Sequence, residues 1–99
     1  MVFEISFHPE AELELAEAVG WYENQQEGLG FAFWEDYLKV RNRLQNTPAI
    51  FPTVYDGIRR ANFRKFPYSI FFSLVEQSIL IFAVFHQKRE PEDWFERVI

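Results

Sequence analysis

The chain has 99 residues, a net charge of −5 and no cysteine. Its length allows a single domain, residues 1–99, and the lack of thiols excludes disulfides, thiol catalysis and thiolate metal sites. The acidic total argues against a general nucleic-acid binder, which is usually basic, and no apolar run approaches the roughly 18 residues of a membrane span. We therefore expect a cytoplasmic protein without a membrane partner.

The chain is unusually rich in aromatic residues, and its charged residues are unevenly distributed along the sequence. Aromatic residues make up 19% of the chain, which predicts a core built from large rings. Residues 1–50 carry nine acidic and three basic side chains, whereas residues 51–99 carry six acidic and seven basic ones. Because the cations are concentrated in the second half, we expect the binding surface there.

The first half of the chain predicts a strand followed by two antiparallel helices. Residues 2–7 alternate apolar side chains with mostly polar ones, as in a half-buried strand. Pro9 suits the first turn of a helix that we place at residues 9–25, with its glutamates mostly on a solvated face. Gly28 and Gly30 bracket a short connection to a second helix, which ends at Asn46-Thr47-Pro48.

From residue 59 onward the spacing of apolar side chains changes to two, which predicts a three-stranded antiparallel meander. Its strands are expected at residues 60–65, 68–75 and 79–85, with a hairpin turn at 76–78. Residues 48–57 contain two prolines and a glycine, so we expect an irregular connection there. The fold class is therefore α+β, with the helical hairpin packed on one face of a four-stranded sheet.

The last predicted strand is apolar on both sides, as a central strand covered on both faces would be. So small a chain has little left to cover the second face of the sheet beyond the residues around Trp94 and Phe95. We expect an incompletely covered apolar surface, which a partner or a second copy in a homodimer would fill.

Three motifs accompany this order of elements. They are Arg59-Arg60, Lys65-Phe66-Pro67-Tyr68-Ser69-Ile70-Phe71-Phe72 and Ala83-Val84-Phe85-His86-Gln87-Lys88-Arg89-Glu90-Pro91. Together they resemble the RelE/ParE superfamily of toxins from bacterial type II toxin–antitoxin systems, also called plasmid-stabilisation proteins. The resemblance covers essentially the whole chain, and it implies a compact toxin neutralised by a cognate antitoxin whose C-terminal segment wraps over it.

Two activities are known on this scaffold, and only one of them is enzymatic. RelE-like members cleave mRNA on the ribosome, whereas ParE-like members are associated with poisoning DNA gyrase. The RelE-like nucleases carry an arginine and a tyrosine where this chain has Ser69 and Trp94. The resemblance therefore favours a ParE-like gyrase inhibitor, with a RelE-like endoribonuclease or a degenerate member that only binds antitoxin as alternatives.

Catalytic candidates are few. An RNase needs clustered cations and an acid or base near the scissile phosphate, and His86, Lys88 and Arg89 are the weak candidates for these roles. The other interpretation of Lys88 and Arg89 is surface ion pairing with the acidic residues that follow them. His8 and His86 lie far apart in the sequence without metal-ligand spacing, so we expect neither a metal site nor a cofactor.

A second set of residues is predicted to contact the antitoxin or the target. The set consists of Arg60, Arg64, Lys65, Arg89 and Trp94. Arg60 and Arg64 are expected to share one face of the first meander strand, where acidic antitoxin residues would meet them. Their other interpretation is an exposed sheet edge that charge protects from unwanted pairing.

Overall fold

The computed structural model describes residues 2–89 and Arg97. Its elements are β1 (Glu4–Phe7), α1 (Pro9–Gln25), α2 (Leu29–Asn46), β2 (Thr53–Tyr55), β3 (Ile58–Asn62), β4 (Tyr68–Val75) and β5 (Ser78–His86), with a 3-10 turn at Pro48–Ile50. The α+β class and the order strand, two helices and antiparallel strands are as predicted. Within the described residues, neither helix combines the length and the apolar character that crossing a bilayer demands.

The sheet has five strands in the order β1-β5-β4-β3-β2, so the prediction of four strands was wrong. The additional strand β2 forms within the connection that we expected to be irregular, and it pairs with β3 through Tyr55 and Ile58. Asp56 and Gly57 between them have φ of 28° and 81°. Asp-Gly is a preferred two-residue hairpin turn, so the signal for β2 was present but was outweighed by the neighbouring prolines.

Strand β5 is central, as its apolar sequence predicts. It pairs in parallel with β1 and antiparallel with β4, so that both of its edges are hydrogen-bonded. A register shift between Phe71 and Phe72 of β4 leaves an extra residue in β5. Such a bulge bends a strand locally.

The two helices pack on one face of this sheet around a core that is rich in aromatic rings. Phe33 of α2 is fully buried, and its ring centroid lies 5.2 Å from Tyr22, 5.0 Å from Phe63 and 5.0 Å from Tyr68. Rings at these separations attract one another beyond the burial of their apolar area. The prediction of a ring-built core is confirmed in part, because twelve of the twenty buried apolar residues in the described part of the chain are aliphatic.

The opposite face of the sheet is not the exposed apolar surface that we expected. Phe71, Phe82 and Phe85 on this face are at most 7% exposed and form a second cluster with Ile58 and Ala83. The exposed large apolar side chains include Leu13, Trp21, Phe31, Trp34 and Leu38 on the two helices. The prediction failed because alternation along a strand tells which residues share a face but not whether that face is covered. Trp94, which we expected to pack there, lies outside the described residues.

Candidate functional site: a cationic cavity on the sheet

A cavity of about 380 Å³ opens on the face of the sheet opposite the helices, and we call it the sheet cavity. It lies where β3 and β5 end and β4 begins. Its lining residues are Arg60, Asn62, Ser69, Phe71, His86, Gln87, Lys88 and Arg89. The structure therefore brings together four of the predicted residues, namely Arg60, His86, Lys88 and Arg89.

Pairing of β3 with β4 sets the side of the cavity that contains Arg60. Arg60 is opposite Phe71 and Asn62 is opposite Ser69, so all four side chains share one face. The preceding Arg59 points to the other face, where its Nη1 donates to the carbonyl oxygens of Ala49 (3.2 Å) and Phe51 (2.6 Å). Of the two arginines in the Arg59-Arg60 motif, Arg59 therefore stabilises the segment at residues 49–51, and Arg60 faces the sheet cavity.

His86 is held in one orientation by its own backbone and by a neighbouring ring. Its Nδ1 accepts a hydrogen bond from the Lys88 N–H (3.1 Å), and its ring lies 5.3 Å from that of Tyr68. A neutral imidazole whose Nδ1 accepts must carry its proton on Nε2. In this tautomer Nε2 cannot act as a base. The ring packs against Tyr68, whose own ring lies against Phe33 on the helix side of the sheet, so the imidazole faces the helices and not the sheet cavity.

Arg89 lies over the Phe85 ring, with its guanidinium carbon 3.7 Å from the ring centroid. A cation at this distance from an aromatic face is attracted by the ring quadrupole. Its Nη1 also lies 3.4 Å from Glu14 Oε2. These contacts place the guanidinium at the rim of the sheet cavity and beside α1.

Ser69 of β4 lines the sheet cavity beside Asn62. It is 2% exposed, and its hydroxyl donates to Asn62 Oδ1 at 2.6 Å. Because the Asn62 side-chain oxygen accepts this hydrogen bond, the Asn62 NH₂ group remains as a donor toward the cavity. The cavity therefore has a serine–asparagine pair instead of a further cation at this point.

Arg64 lies in a different depression from Arg60, contrary to the expectation that they share one strand face. Strand β3 ends at Asn62, and Arg64 lines a groove of about 460 Å³ on α2. We call it the α2 groove, and its other lining residues are Leu38, Lys39, Val40, Asn42 and Arg43. Lys65 is exposed and lines neither depression.

Asp36 of α2 explains why β3 ends there. Its carboxylate is buried and accepts hydrogen bonds from the backbone N–H groups of Arg64 (3.4 Å), Lys65 (2.8 Å) and Phe66 (3.1 Å). A carboxylate that accepts three N–H groups satisfies donors that a continued strand would have to pair elsewhere. Nothing in the sequence singled out Asp36, because its partners lie 28 to 30 positions away.

Glu14 was predicted to belong to a solvated face, and that prediction was wrong. Its side chain is 13% exposed and accepts hydrogen bonds from the Val84 N–H (3.1 Å) and from both terminal nitrogens of Arg97 (2.9 and 2.7 Å). Arg97 Nη1 also donates to the Phe82 carbonyl (2.9 Å). The hydrogen bond to Glu14 raises the pKa of Arg97, so this guanidinium stays charged. The contact joins α1 to β5 beside the sheet cavity.

Within the described part of the chain, no three histidine, aspartate or glutamate side chains converge as metal ligands would. Binding candidate Trp94 lies outside the residues that the structure describes, so its role stays a prediction.

Comparisons with known proteins were made for the sequence and the fold. Residues 5–91 match the model of the family described as ParE toxin of type II toxin-antitoxin system, parDE. A search of curated proteins returns no match. Among solved structures, a chain of the chromosomal ParDE toxin–antitoxin system from P. aeruginosa superposes with a TM-score of 0.74 at 16% sequence identity. The match covers 86% of this chain and 96% of the other, and at this identity it shows that the two share a fold.

Proposed function

Since this chain belongs to the ParE toxin family of type II toxin–antitoxin systems, we propose that it inhibits DNA gyrase and that a cognate antitoxin neutralises it. The family match over residues 5–91 is the observation that carries this proposal. Membership in a family of toxins does not by itself name the molecular target, since one fold can support several activities.

The geometry of the sheet cavity favours gyrase over mRNA as the target. Cleavage of RNA requires a group that removes the proton of a ribose hydroxyl and a group that protonates the leaving oxygen. His86 has its Nδ1 occupied by the Lys88 N–H, and the buried Ser69 replaces the arginine of the nucleases. The convergence of Arg60, His86, Lys88 and Arg89 in one cavity is the observation on the side of the endoribonuclease, which we keep as the second candidate.

Two assays with the purified chain separate these functions. In the first, gyrase supercoils a relaxed plasmid in the presence of increasing amounts of the protein, and we expect supercoiling to be lost. In the second, a translating extract is supplied with a defined mRNA, and we expect the message to remain intact. Cleaved mRNA together with unaffected supercoiling would replace the proposal by the endoribonuclease. Controlled expression in cells is the matching test, because a confirmed level of protein without growth arrest would identify a degenerate, non-toxic member.

We further propose the α2 groove as a docking site for an acidic, amphipathic segment of the antitoxin. Leu38 in the groove is 43% exposed, and three cations, Lys39, Arg43 and Arg64, surround it. Within the part of the chain that the structure describes, no acidic residue lines the groove, although the chain as a whole has a charge of −5. An amphipathic segment with acidic flanks complements both the apolar centre and the cationic rim.

Charge reversal at Arg64 tests this docking site. We expect Arg64→Glu to weaken antitoxin binding about tenfold or more, because a charged contact becomes a repulsion in a partly desolvated groove. Lys65→Glu is the matched control: it changes the net charge equally in the same connection, outside the groove, and should have a much smaller effect. Titration calorimetry at two salt concentrations measures both variants. Equal affinities for Arg64→Glu and the unmodified chain would exclude the groove as the docking site.

A further inference from the structure

The sheet cavity concentrates positive charge in an acidic protein. Arg60, Lys88 and Arg89 line it, and none of the described residues that line it is acidic, whereas the whole chain carries a charge of −5. Among the described residues, the side chains of Arg60 and Lys88 make no ion pair or hydrogen bond within the chain. Cations that line a concavity without a carboxylate partner create a local positive potential that attracts anions.

The polar groups of the cavity are arranged mainly as donors. The Asn62 side chain has its oxygen occupied by the Ser69 hydroxyl, so its NH₂ group is the end that remains to donate. The Gln87 amide nitrogen donates to the Tyr68 carbonyl at 3.2 Å, which fixes that side chain at the rim. An oxyanion, which only accepts hydrogen bonds, matches such a set better than a neutral or cationic ligand does.

The arrangement of the cationic and polar side chains around the cavity indicates which class of anion would fit. Arg60 and Asn62 come from β3, whereas His86, Lys88 and Arg89 come from the end of β5 on the other side of the cavity. A tetrahedral phosphate presents oxygens in several directions and can meet donors from both sides, whereas a planar carboxylate is best met by donors on one side. The volume of about 380 Å³ exceeds a bare phosphate and lies in the range of small-molecule sites.

We propose that the sheet cavity binds the phosphate group of a phosphate ester, with Arg60 and Lys88 as its principal cationic contacts and the Asn62 NH₂ group as a neutral donor. The ester is either a free nucleotide or a phosphodiester of a nucleic-acid strand, which share this chemistry. This inference goes beyond gyrase inhibition and antitoxin binding, because neither requires a phosphate site on the toxin, whereas the second candidate, the endoribonuclease, would use the same cavity for its RNA.

Titration of the full-length chain with four probes tests the proposal. The probes are adenosine 5′-monophosphate, adenosine, inorganic phosphate and a single-stranded DNA oligomer without terminal phosphates, each followed by calorimetry at low salt. We expect the nucleotide or the oligomer to bind and adenosine not to bind. Binding of the nucleotide and inorganic phosphate identifies a free ester as the ligand, and binding of the oligomer alone identifies a backbone phosphodiester.

Variants of the chain test whether any observed binding takes place in the sheet cavity. Arg60→Gln and Lys88→Gln each remove one cation from an exposed position, and we expect each to weaken binding about tenfold or more, since hydrogen bonds to charged groups are strong. Lys65→Gln is the matched control, because it removes the same charge from an exposed position that lines neither the sheet cavity nor the α2 groove and should change affinity less than about twofold. Thermal unfolding verifies that each variant is folded.

Several results would overturn the proposal. They are failure of all three phosphate-bearing probes to bind at low salt, equally tight binding of adenosine, and an equal loss of affinity in Lys65→Gln. These outcomes are independent of the proposed function, because supercoiling by gyrase is measured without any of these probes. A chain that inhibits gyrase but binds no phosphate refutes only the inference, and a chain that binds phosphate but spares gyrase refutes only the proposed function.

Discussion

At the scale of single residues, one buried carboxylate decides where the predicted cations lie. Asp36 is 2% exposed and accepts the backbone N–H groups of residues 64–66, which draws this connection onto α2. Arg64 consequently lines the α2 groove, while Arg60 stays on the opposite face of the sheet. One side chain thereby separates two cations that the sequence places four positions apart.

Replacement of Asp36 should therefore be costly. We expect Asp36→Ala to lower the free energy of unfolding by about 2 to 4 kcal/mol, since it leaves buried N–H groups without their charged acceptor. Asp36→Asn should cost less, because it retains one oxygen that accepts. Urea denaturation measures both. The control is Glu35→Ala at the exposed neighbouring position of the same helix, which should stay within about 0.5 kcal/mol of the unmodified chain. A loss in Asp36→Ala no larger than that of the control would contradict this role.

At the scale of elements, the packing of the two helices depends on one glycine. A Cβ atom on Gly30 would lie 2.7 Å from the Val19 carbonyl oxygen and 2.9 Å from Glu23 Cβ, so α2 begins in direct contact with α1. The Glu23 carboxylate in turn accepts the N–H groups of Gly28 (3.1 Å) and Gly30 (3.0 Å) at the start of α2. An acidic group at this end of a helix also interacts favourably with the helix dipole.

Two glycine-to-alanine substitutions should therefore have opposite effects. Gly30→Ala should destabilise the fold by about 1 to 2 kcal/mol, because the contact with a backbone oxygen forces the helices apart and exceeds the gain in helix propensity. Gly20→Ala should stabilise the fold by about 0.5 to 1 kcal/mol, because an added Cβ there meets nothing within 4 Å. Thermal and urea unfolding measure both variants. Destabilisation by Gly20→Ala, or none by Gly30→Ala, would be inconsistent with this packing.

At the scale of the whole molecule, tyrosine burial makes stability depend on pH at the alkaline end. Burial raises the pKa of Tyr22, Tyr37 and Tyr68 above the ordinary value of 10.0. The folded chain therefore keeps these phenolic protons at a pH where the unfolded chain loses them. The resulting stabilisation is complete below about pH 10 and is lost as the pH rises through the raised pKa values.

We accordingly expect the free energy of unfolding to fall as the pH rises above about 10. Tyr37→Phe, which removes the most buried of the three phenols, should reduce the slope of that fall. Urea unfolding between pH 8 and 11 measures the slope, and phenolate absorbance of the folded chain measures the titration directly. Ordinary midpoints for all tyrosines in the folded chain, or an unchanged slope in Tyr37→Phe, would count against this explanation.

The fold was largely predictable, and the reason lies in local signals. Pro9 and Gly28 mark the start of α1 and the connection to α2, and the structure gives α1 the predicted bounds. The change in apolar spacing after residue 58 marks the meander. Strand β2 was missed because the neighbouring prolines indicated an irregular connection, although Asp56-Gly57 is a preferred hairpin turn.

The candidate site was predictable in part. Arg60, His86, Lys88 and Arg89 do meet in one cavity, because the ends of β3 and β5 lie on either side of the start of β4. Asp36 and Glu14 were missed because the groups that they bind are 28 to 83 positions away in the chain. The periodic spacing of apolar residues in a sequence does not indicate which residues so far apart will contact each other.

The sequence by itself determined the α+β class, the order of the elements, the motifs of the toxin superfamily and the set of cations available for binding. These properties depend on residue spacing and turn chemistry, which are local. Only the tertiary structure decided which cations share a cavity and which glutamates are structural. Those properties depend on strand register and on where each strand ends, and both are set by contacts between residues distant in the chain.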